Sequence, residues 1–130
     1  MVTRLAIAAA ILVCSIACAD GPLHAANIQV GRAINPDDSV GSPSTLFKPN
    51  ETIYVSVLTD AAGKGTIGVK WMYGDRVIDE PSKEVSFKGP GATAFQMQNS
   101  GGFPPGSYSV EVFVDGVSAG KRAFKVDDGR

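Results

Sequence analysis

The clearest pattern in the chain is a strict alternation of apolar and polar residues near the C-terminus. In segment 106–116, Tyr108, Val110, Val112 and Val114 fall at every second position. Successive side chains of an extended chain point to opposite faces, so these four side chains share one face. Turn-forming residues bound the segment, with two prolines and a glycine before it and an Asp-Gly dipeptide at its end. The pattern predicts a strand that has one buried face and ends in a tight hairpin.

The same alternation predicts further strands along the chain. They cover segments 26–34, 51–59, 66–73, 76–79, 83–88, 93–98 and, after the hairpin, 117–126. Segment 35–44 is rich in Pro, Asp, Ser and Gly without an apolar period, which predicts a surface loop that is a candidate for local mobility. Short strands with turn signals at intervals of about 8 to 12 residues are typical of sandwiches and barrels. We therefore predict one all-β domain, a two-sheet antiparallel sandwich of about seven strands.

The first 25 residues differ in composition from the rest of the chain. Arg4 precedes the apolar run 5–13, which is shorter than the roughly 20 residues that span a bilayer. Small residues and the helix-breaking pair Gly21-Pro22 follow. This order predicts a signal peptide, with a structural helix as the alternative, and cleavage near position 19 or 25. The domains are then 1–25, the signal and a short boundary segment, and 26–130, the single folded domain.

Both cysteines of the chain, Cys14 and Cys18, lie in this leader. The predicted mature domain therefore has no disulfide, although an exported protein could form one. The segment 15–18 resembles a bacterial lipobox, but Ser15 stands where a branched aliphatic residue is usual. Two outcomes stay open, a freely processed periplasmic or cell-surface protein and an outer-membrane lipoprotein anchored at Cys18. In neither outcome does a membrane span remain after processing.

The net charge and the available reactive side chains argue against several classes of function. The chain carries 12 Lys and Arg against 13 Asp and Glu, a net charge of -1, so no concentrated basic surface favours nucleic acid. The single histidine, His24, lies at the leader boundary, which argues against Ser-His-acid and Cys-His catalysis. Adjacent acidic pairs in turns are expected to be solvated surface groups. The sequence predicts a protein that is not an enzyme and carries no cofactor.

Two aromatic residues resemble a known family pattern. Trp71 falls where the immunoglobulin-like and fibronectin-III-like domains of exported bacterial proteins have their strand C tryptophan, and Tyr108 falls at the start of strand F, where a tyrosine corner is found. Val57 and Val110 stand where an antibody-type domain has its two cysteines. The resemblance covers most of segment 51–126 and is to the cysteine-free branch. It implies an immunoglobulin-like fold and says little about function.

Some strand positions that should face solvent carry apolar residues, and these positions suggest where such a domain binds a partner. If Trp71 and Val112 face the core, Met72 and Phe113 face solvent from neighbouring strands. The residues expected around them are Lys70, Glu111, Ala123 and Lys125. We interpret these six residues as a candidate patch for a protein or cell-envelope partner. The alternative is that isolated exposed apolar residues are common, or that a loop covers them.

Other modes of action stay open at this point. The partner could instead bind an edge strand by strand addition, or the loops at one end of the sandwich. A different class of function is a small periplasmic copper carrier. Its ligands would be His24, if cleavage exposes it, together with Met72 and Met97.

Overall fold

The computed structural model describes residues 22–129, and these residues form nine β-strands and no helix. The strands are β1 (Ala25–Gly31), β2 (Leu46–Phe47), β3 (Ile53–Thr59), β4 (Gly63–Tyr73), β5 (Arg76–Asp79), β6 (Ser82–Phe87), β7 (Gly91–Met97), β8 (Gly106–Val114) and β9 (Val117–Val126). Segment 1–21 of the predicted signal peptide, its cleavage site near position 19 and Cys18 lie outside the described residues, whereas the alternative cleavage site near position 25 falls at the start of β1. Within 22–129, no helix is long and apolar enough to cross a membrane.

The strands form two sheets. The small sheet has the order β1-β3-β7, and the large sheet has the order β2-β9-β8-β4-β5. Strand β6 pairs with the same edge of β4 as β5 does, because β4 is long enough to pair first with β6 and then with β5. All pairings are antiparallel except the short parallel pairing of β2 with β9. The prediction of an all-β antiparallel sandwich is confirmed.

The core lies between the two sheets and follows the predicted parity. Trp71 is fully buried, and its ring meets the Phe124 ring edge-on at 6.2 Å between centroids. Tyr108 is also buried and stacks on Phe124 at 5.6 Å. Much of the aliphatic part of the core comes from alternate positions of three strands, namely Ile53, Val55 and Val57 of β3, Ile67 and Val69 of β4, and Val110 and Val112 of β8. The nine strands and this core are contained in the described segment 22–129.

The hairpin between β8 and β9 has the predicted turn chemistry. Asp115 and Gly116 both adopt positive φ, at 50° and 84°. The Asp115 carboxylate also accepts a hydrogen bond from the backbone N–H of Thr66, at 2.9 Å. The turn therefore holds β4 in place as well as joining β8 to β9.

The structure departs from the predicted elements most clearly at three places. Strand β1 ends at Gly31 rather than at residue 34, because the chain folds back and forms bridges from Gly31 to Pro43 and from Ile34 to Val40. The predicted loop 35–44 is thus hydrogen-bonded back onto the end of β1. Strand β2 was not predicted, since two residues in a parallel pairing show no period. Strand β4 begins at Gly63, three residues earlier than the apolar alternation does.

Candidate partner-binding surface

The six predicted patch residues lie on one side of the large sheet. We call the solvent-facing side of β4, β8 and β9 the outer face. Its cross-strand neighbours are Lys70 opposite Glu111, Met72 opposite Ser109, Ser109 opposite Ala123, Ser107 opposite Lys125, and Gly68 opposite Phe113. Met72, Phe113, Lys70 and Glu111 are half-buried, whereas Ala123 and Lys125 are exposed.

Met72 and Phe113 do not touch each other across the outer face. The partner of Met72 on β8 is Ser109, four residues before Phe113, which corresponds to a separation of about 13 Å along the strand. The row formed by Lys70 and Glu111 lies between them. The Lys70 ammonium also lies 5.3 Å from the centroid of the Phe113 ring, a cation–π contact that covers part of its apolar surface. The outer face therefore has two separate apolar side chains, Met72 and Phe113, with the charged pair Lys70 and Glu111 between them.

Glu111 is held in this row by a hydrogen bond from the next strand, β9. The Ser118 hydroxyl donates a hydrogen bond to Glu111 Oε2 at 2.7 Å. On its other side, Glu111 lies opposite Lys70 of β4. The charged row is thus positioned from both sides of β8.

The apolar surface around Met72 extends toward the sheet edge. Val77 of β5 lies directly opposite Met72 and is 45% exposed. Sequence reasoning missed Val77, because the short segment 76–79 has no alternation that separates an inner from an outer face. The turn before it was an available signal. A two-residue hairpin at Gly74-Asp75 pairs residue 73 with 76 and therefore Met72 with Val77.

The next residue of β5, Ile78, points to the other side of the sheet and is 42% exposed. It lines an open cavity of about 330 Å³ together with Tyr73, Met97 and Phe103. The Tyr73 ring is covered by Tyr108, at 4.7 Å between centroids, and by the Arg76 guanidinium at 5.7 Å. The Tyr73 ring is thus already in contact with other side chains of the domain.

A charged cluster lies away from the outer face, beside β2. Arg32 Nε is 2.9 Å from Glu51 Oε2, and another Arg32 nitrogen donates to the Leu46 carbonyl oxygen at 2.6 Å. The backbone N–H of Lys48 donates to Glu51 Oε1 at 2.6 Å. The hydrogen bond from Lys48, assisted by Arg32, lowers the pKa of the Glu51 carboxyl. These contacts fasten the segment around β2 to the end of β1.

The structure does not bring the proposed copper ligands together. His24 Nδ1 is 3.2 Å from Asp60 Oδ1, next to the turn between β3 and β4, and both side chains are exposed. Met72 lies near the opposite end of β4, about 30 Å away at the rise of an extended chain. Met97 is buried. Among the described residues, no three His, Cys, Asp or Glu side chains are grouped so that they could hold a metal ion.

Comparisons of the sequence with known proteins give no match. Neither a protein-family model nor a curated protein matches the chain.

Solved structures resemble the fold. An immunoglobulin-like protein from Pseudomonas aeruginosa is 12% identical, with a TM-score of 0.56 over 84% of this chain and 99% of that one. A β-glucosidase from Listeria innocua is 14% identical, with a TM-score of 0.49 over 77% of this chain and 16% of the enzyme. An alkylpurine DNA glycosylase from Pseudomonas fluorescens is also 14% identical, with a TM-score of 0.47 over 76% of this chain and 30% of that chain. This chain thus spans only a small part of either enzyme. The likeness to the first protein extends over nearly its whole length, and we conclude that this chain has an immunoglobulin-like fold.

Proposed function

We propose that this chain is an exported binding module without catalytic activity. It engages a protein or a component of the cell envelope through the outer face of its large sheet. The observation that carries the proposal is the pairing of Met72 with Val77, which places two apolar side chains next to each other on a solvent-facing sheet surface. A sheet face that serves only solubility carries polar residues at such positions.

The outer face has the composition of a protein-binding surface. Methionine has a flexible, polarisable side chain that adapts to different partner shapes. The neighbouring charged row of Lys70 and Glu111 would supply a polar rim beside this apolar anchor. Phe113 provides a second anchor about 13 Å along β8. A partner that covers both anchors would displace the Lys70 ammonium from the Phe113 ring and offer it a new acceptor.

The leader supports the proposed location. Processing near position 19 or 25 would release the domain to the periplasm or the cell surface, whereas acylation of Cys18 would hold it at a membrane. Mass spectrometry of the native N-terminus distinguishes these outcomes. An acylated Cys18 adds the mass of the attached lipid, whereas simple cleavage gives the mass of the unmodified peptide.

Binding can be tested with segment 22–130 immobilised and exposed to solubilised envelope proteins and lipids. The variant Met72→Ser with Phe113→Ser should lose the captured partner while its melting temperature stays within a few degrees of the parent. Val117→Ser is a matched control, because Val117 is an apolar residue that is 70% exposed but lies at the β8–β9 turn. The control should bind as the parent does.

Two results would count against the outer face. Equal capture by the double variant and by the parent would mean that the partner binds elsewhere on the domain. A large fall in melting temperature in the double variant would mean that Met72 and Phe113 serve packing rather than recognition.

A further inference from the structure

Strand β7 has a free edge. It pairs with β3 on one side, and none of the other strands in 22–129 pairs with its second side. A strand edge of this kind presents unpaired backbone N–H and C=O groups that are able to bind another strand.

Side-chain contacts show which backbone groups of β7 point outward. Lys83 of β6 donates from Nζ to the carbonyl oxygen of Ala94 at 2.6 Å, so this carbonyl is directed away from β3. The carbonyl of Gly91 instead accepts from the Thr59 hydroxyl of β3 at 3.2 Å. Backbone direction alternates along an antiparallel strand. The groups of Ala92, Ala94 and Gln96 therefore form the free edge.

The remaining sheet edges carry more protective features than the β7 edge, where the Lys83 contact with the Ala94 carbonyl is the one described above. On β1, the Arg122 side chain donates to the Ile28 carbonyl oxygen, and the backbone of Ser44 donates to that of Val30. Strands β5 and β6 contain several charged residues, and Pro81 separates them. Strand β9 is covered at its end by β2. Strand β7 has the sequence Gly-Ala-Thr-Ala-Phe-Gln-Met, which contains neither a charge nor a proline.

We propose that the β7 edge pairs with the β7 edge of a second copy of this chain. The two strands run antiparallel about a two-fold axis at Ala94, so that Ala92 of one copy lies opposite Gln96 of the other. This register pairs all three outward-facing residues with one another. The small side chain of alanine lets the two backbones approach without a clash, and none of the three paired residues carries a charge.

The groove beside the edge favours a second copy over a strand of unrelated sequence. It has a volume of about 570 Å³, and its lining includes both signs of charge, from Asp38, Asp79 and Lys83. Because a two-fold axis places this groove against its own copy, each Lys83 can approach the carboxylates of the other molecule. The surface is thus complementary to itself in charge.

Lys83 also determines that the pairing is weak and concentration-dependent. Its ammonium satisfies the Ala94 carbonyl in the single chain and must move before a strand can bind there. A single pair of seven-residue strands buries less surface than a standard protein interface. We expect half-maximal dimer at a protein concentration on the order of 10 to 1,000 µM.

Sedimentation velocity of segment 22–130 across that concentration range tests the proposal. The parent should shift from monomer to dimer. Ala94→Pro should remain monomeric at every concentration, because proline removes an outward-facing donor without removing a hydrogen bond to β3. Circular dichroism and melting of this variant check that it remains folded, and Ala94→Lys provides a second variant that introduces repulsion at the axis without proline.

Cysteine substitution tests the register, because both natural cysteines lie outside this segment. In the proposed pairing, the two Ala94 Cα atoms are about 5.5 Å apart, a distance that a disulfide can bridge. Ala94→Cys should give a covalent dimer under mild oxidation. Ser86→Cys, on the exposed part of β6, is the matched control and should remain monomeric.

A parent that stays monomeric at all concentrations, or open-ended aggregates in place of a dimer, would overturn the proposal. So would equally rapid cross-linking through position 86. None of these results depends on the outer face, because the β7 experiments use only the purified chain.

Discussion

The Tyr108 hydroxyl donates a hydrogen bond to the carbonyl oxygen of Pro104, at 2.6 Å. This contact joins the beginning of β8 to the segment that connects the small sheet to the large sheet. Gly106 between them makes room for the neighbouring Tyr73 ring, because its φ is +147° and a Cβ there would lie 2.8 Å from that ring. The sequence Gly-Ser-Tyr at 106–108 therefore forms a tyrosine corner, as the resemblance to immunoglobulin-like domains implies.

Removing this hydroxyl should destabilise the domain. Tyr108→Phe leaves the Pro104 carbonyl without its donor, and we expect the free energy of unfolding to fall by about 1 to 2 kcal/mol in urea denaturation near neutral pH. Tyr54→Phe is the control, because Tyr54 lies on the outer side of β3 away from the corner. A loss of the same size in both variants would contradict a special role for the corner.

The same residue predicts a dependence on alkaline pH. Burial, and to a smaller extent the neighbouring Tyr73, raises the pKa of Tyr108 above 10.0. The native state thus holds this proton more tightly than the unfolded chain does. Its contribution to stability is complete below about pH 10 and is lost as the pH rises through the native pKa. In urea titrations above about pH 10, the parent should lose stability more steeply than Tyr108→Phe does.

Glu51 predicts the opposite behaviour in acid. Its pKa is lowered from 4.5, chiefly by the Lys48 N–H and also by Arg32, so the native state favours the carboxylate. The resulting stability is present above pH 4.5 and is lost as the pH falls through the native pKa. Because the site is partly exposed, we expect Glu51→Gln to cost no more than about 1 kcal/mol near neutral pH. The difference from the parent should disappear in acid, and a constant difference at all pH values would exclude the charge as its cause.

Trp71 is the largest fully buried side chain of the described residues. Trp71→Ala should lower the free energy of unfolding by about 3 to 5 kcal/mol, which is a large share of the stability of a small domain. Urea denaturation followed by circular dichroism measures this change. Met72→Ala, one position along β4 and on the opposite face, should cost much less. Similar midpoints for the two variants would mean that the two faces of β4 do not differ in burial.

Gly120 lies where β9 passes close to β1. Its φ is +145°, and a Cβ there would lie 2.9 Å from Ile28 Cδ1. Gly120→Ala should therefore cost about 1 to 3 kcal/mol, from backbone strain and overpacking together. Gly68→Ala is the matched control in the same sheet, because a Cβ at Gly68 would meet Ser82 Cβ at an ordinary 3.5 Å. Thermal unfolding of both variants checks the expectation, which equal stability would contradict.

The alternation of side chains along each strand was predictable from the sequence because it is a local property. Val110 and Val112 point inward and Glu111 points outward in any extended chain, so the core parity and the outward position of Met72 follow directly. The Asp115-Gly116 turn was predictable for the same reason, since its positive φ angles depend on those two residue types.

Strand neighbours were not predictable in this way. The separation of Met72 from Phe113 depends on the register of β4 against β8, and the exposure of Val77 depends on the register of β5. Strand β2 forms only because Phe47 reaches the core beside β9. Apart from the local hairpin of β4 and β5, these pairings join residues far apart in the sequence, and no local pattern encodes them.

The sequence by itself determined that this protein is an all-β sandwich with an indole and a phenol in its core. The reason is that apolar side chains at every second position are visible in the local sequence of each strand. The tertiary structure alone decided which side chains share a surface. It also decided that one edge of β7 has no partner strand and is contacted there by the Lys83 side chain. Those features follow from strand order and register, which result from the packing of the whole chain.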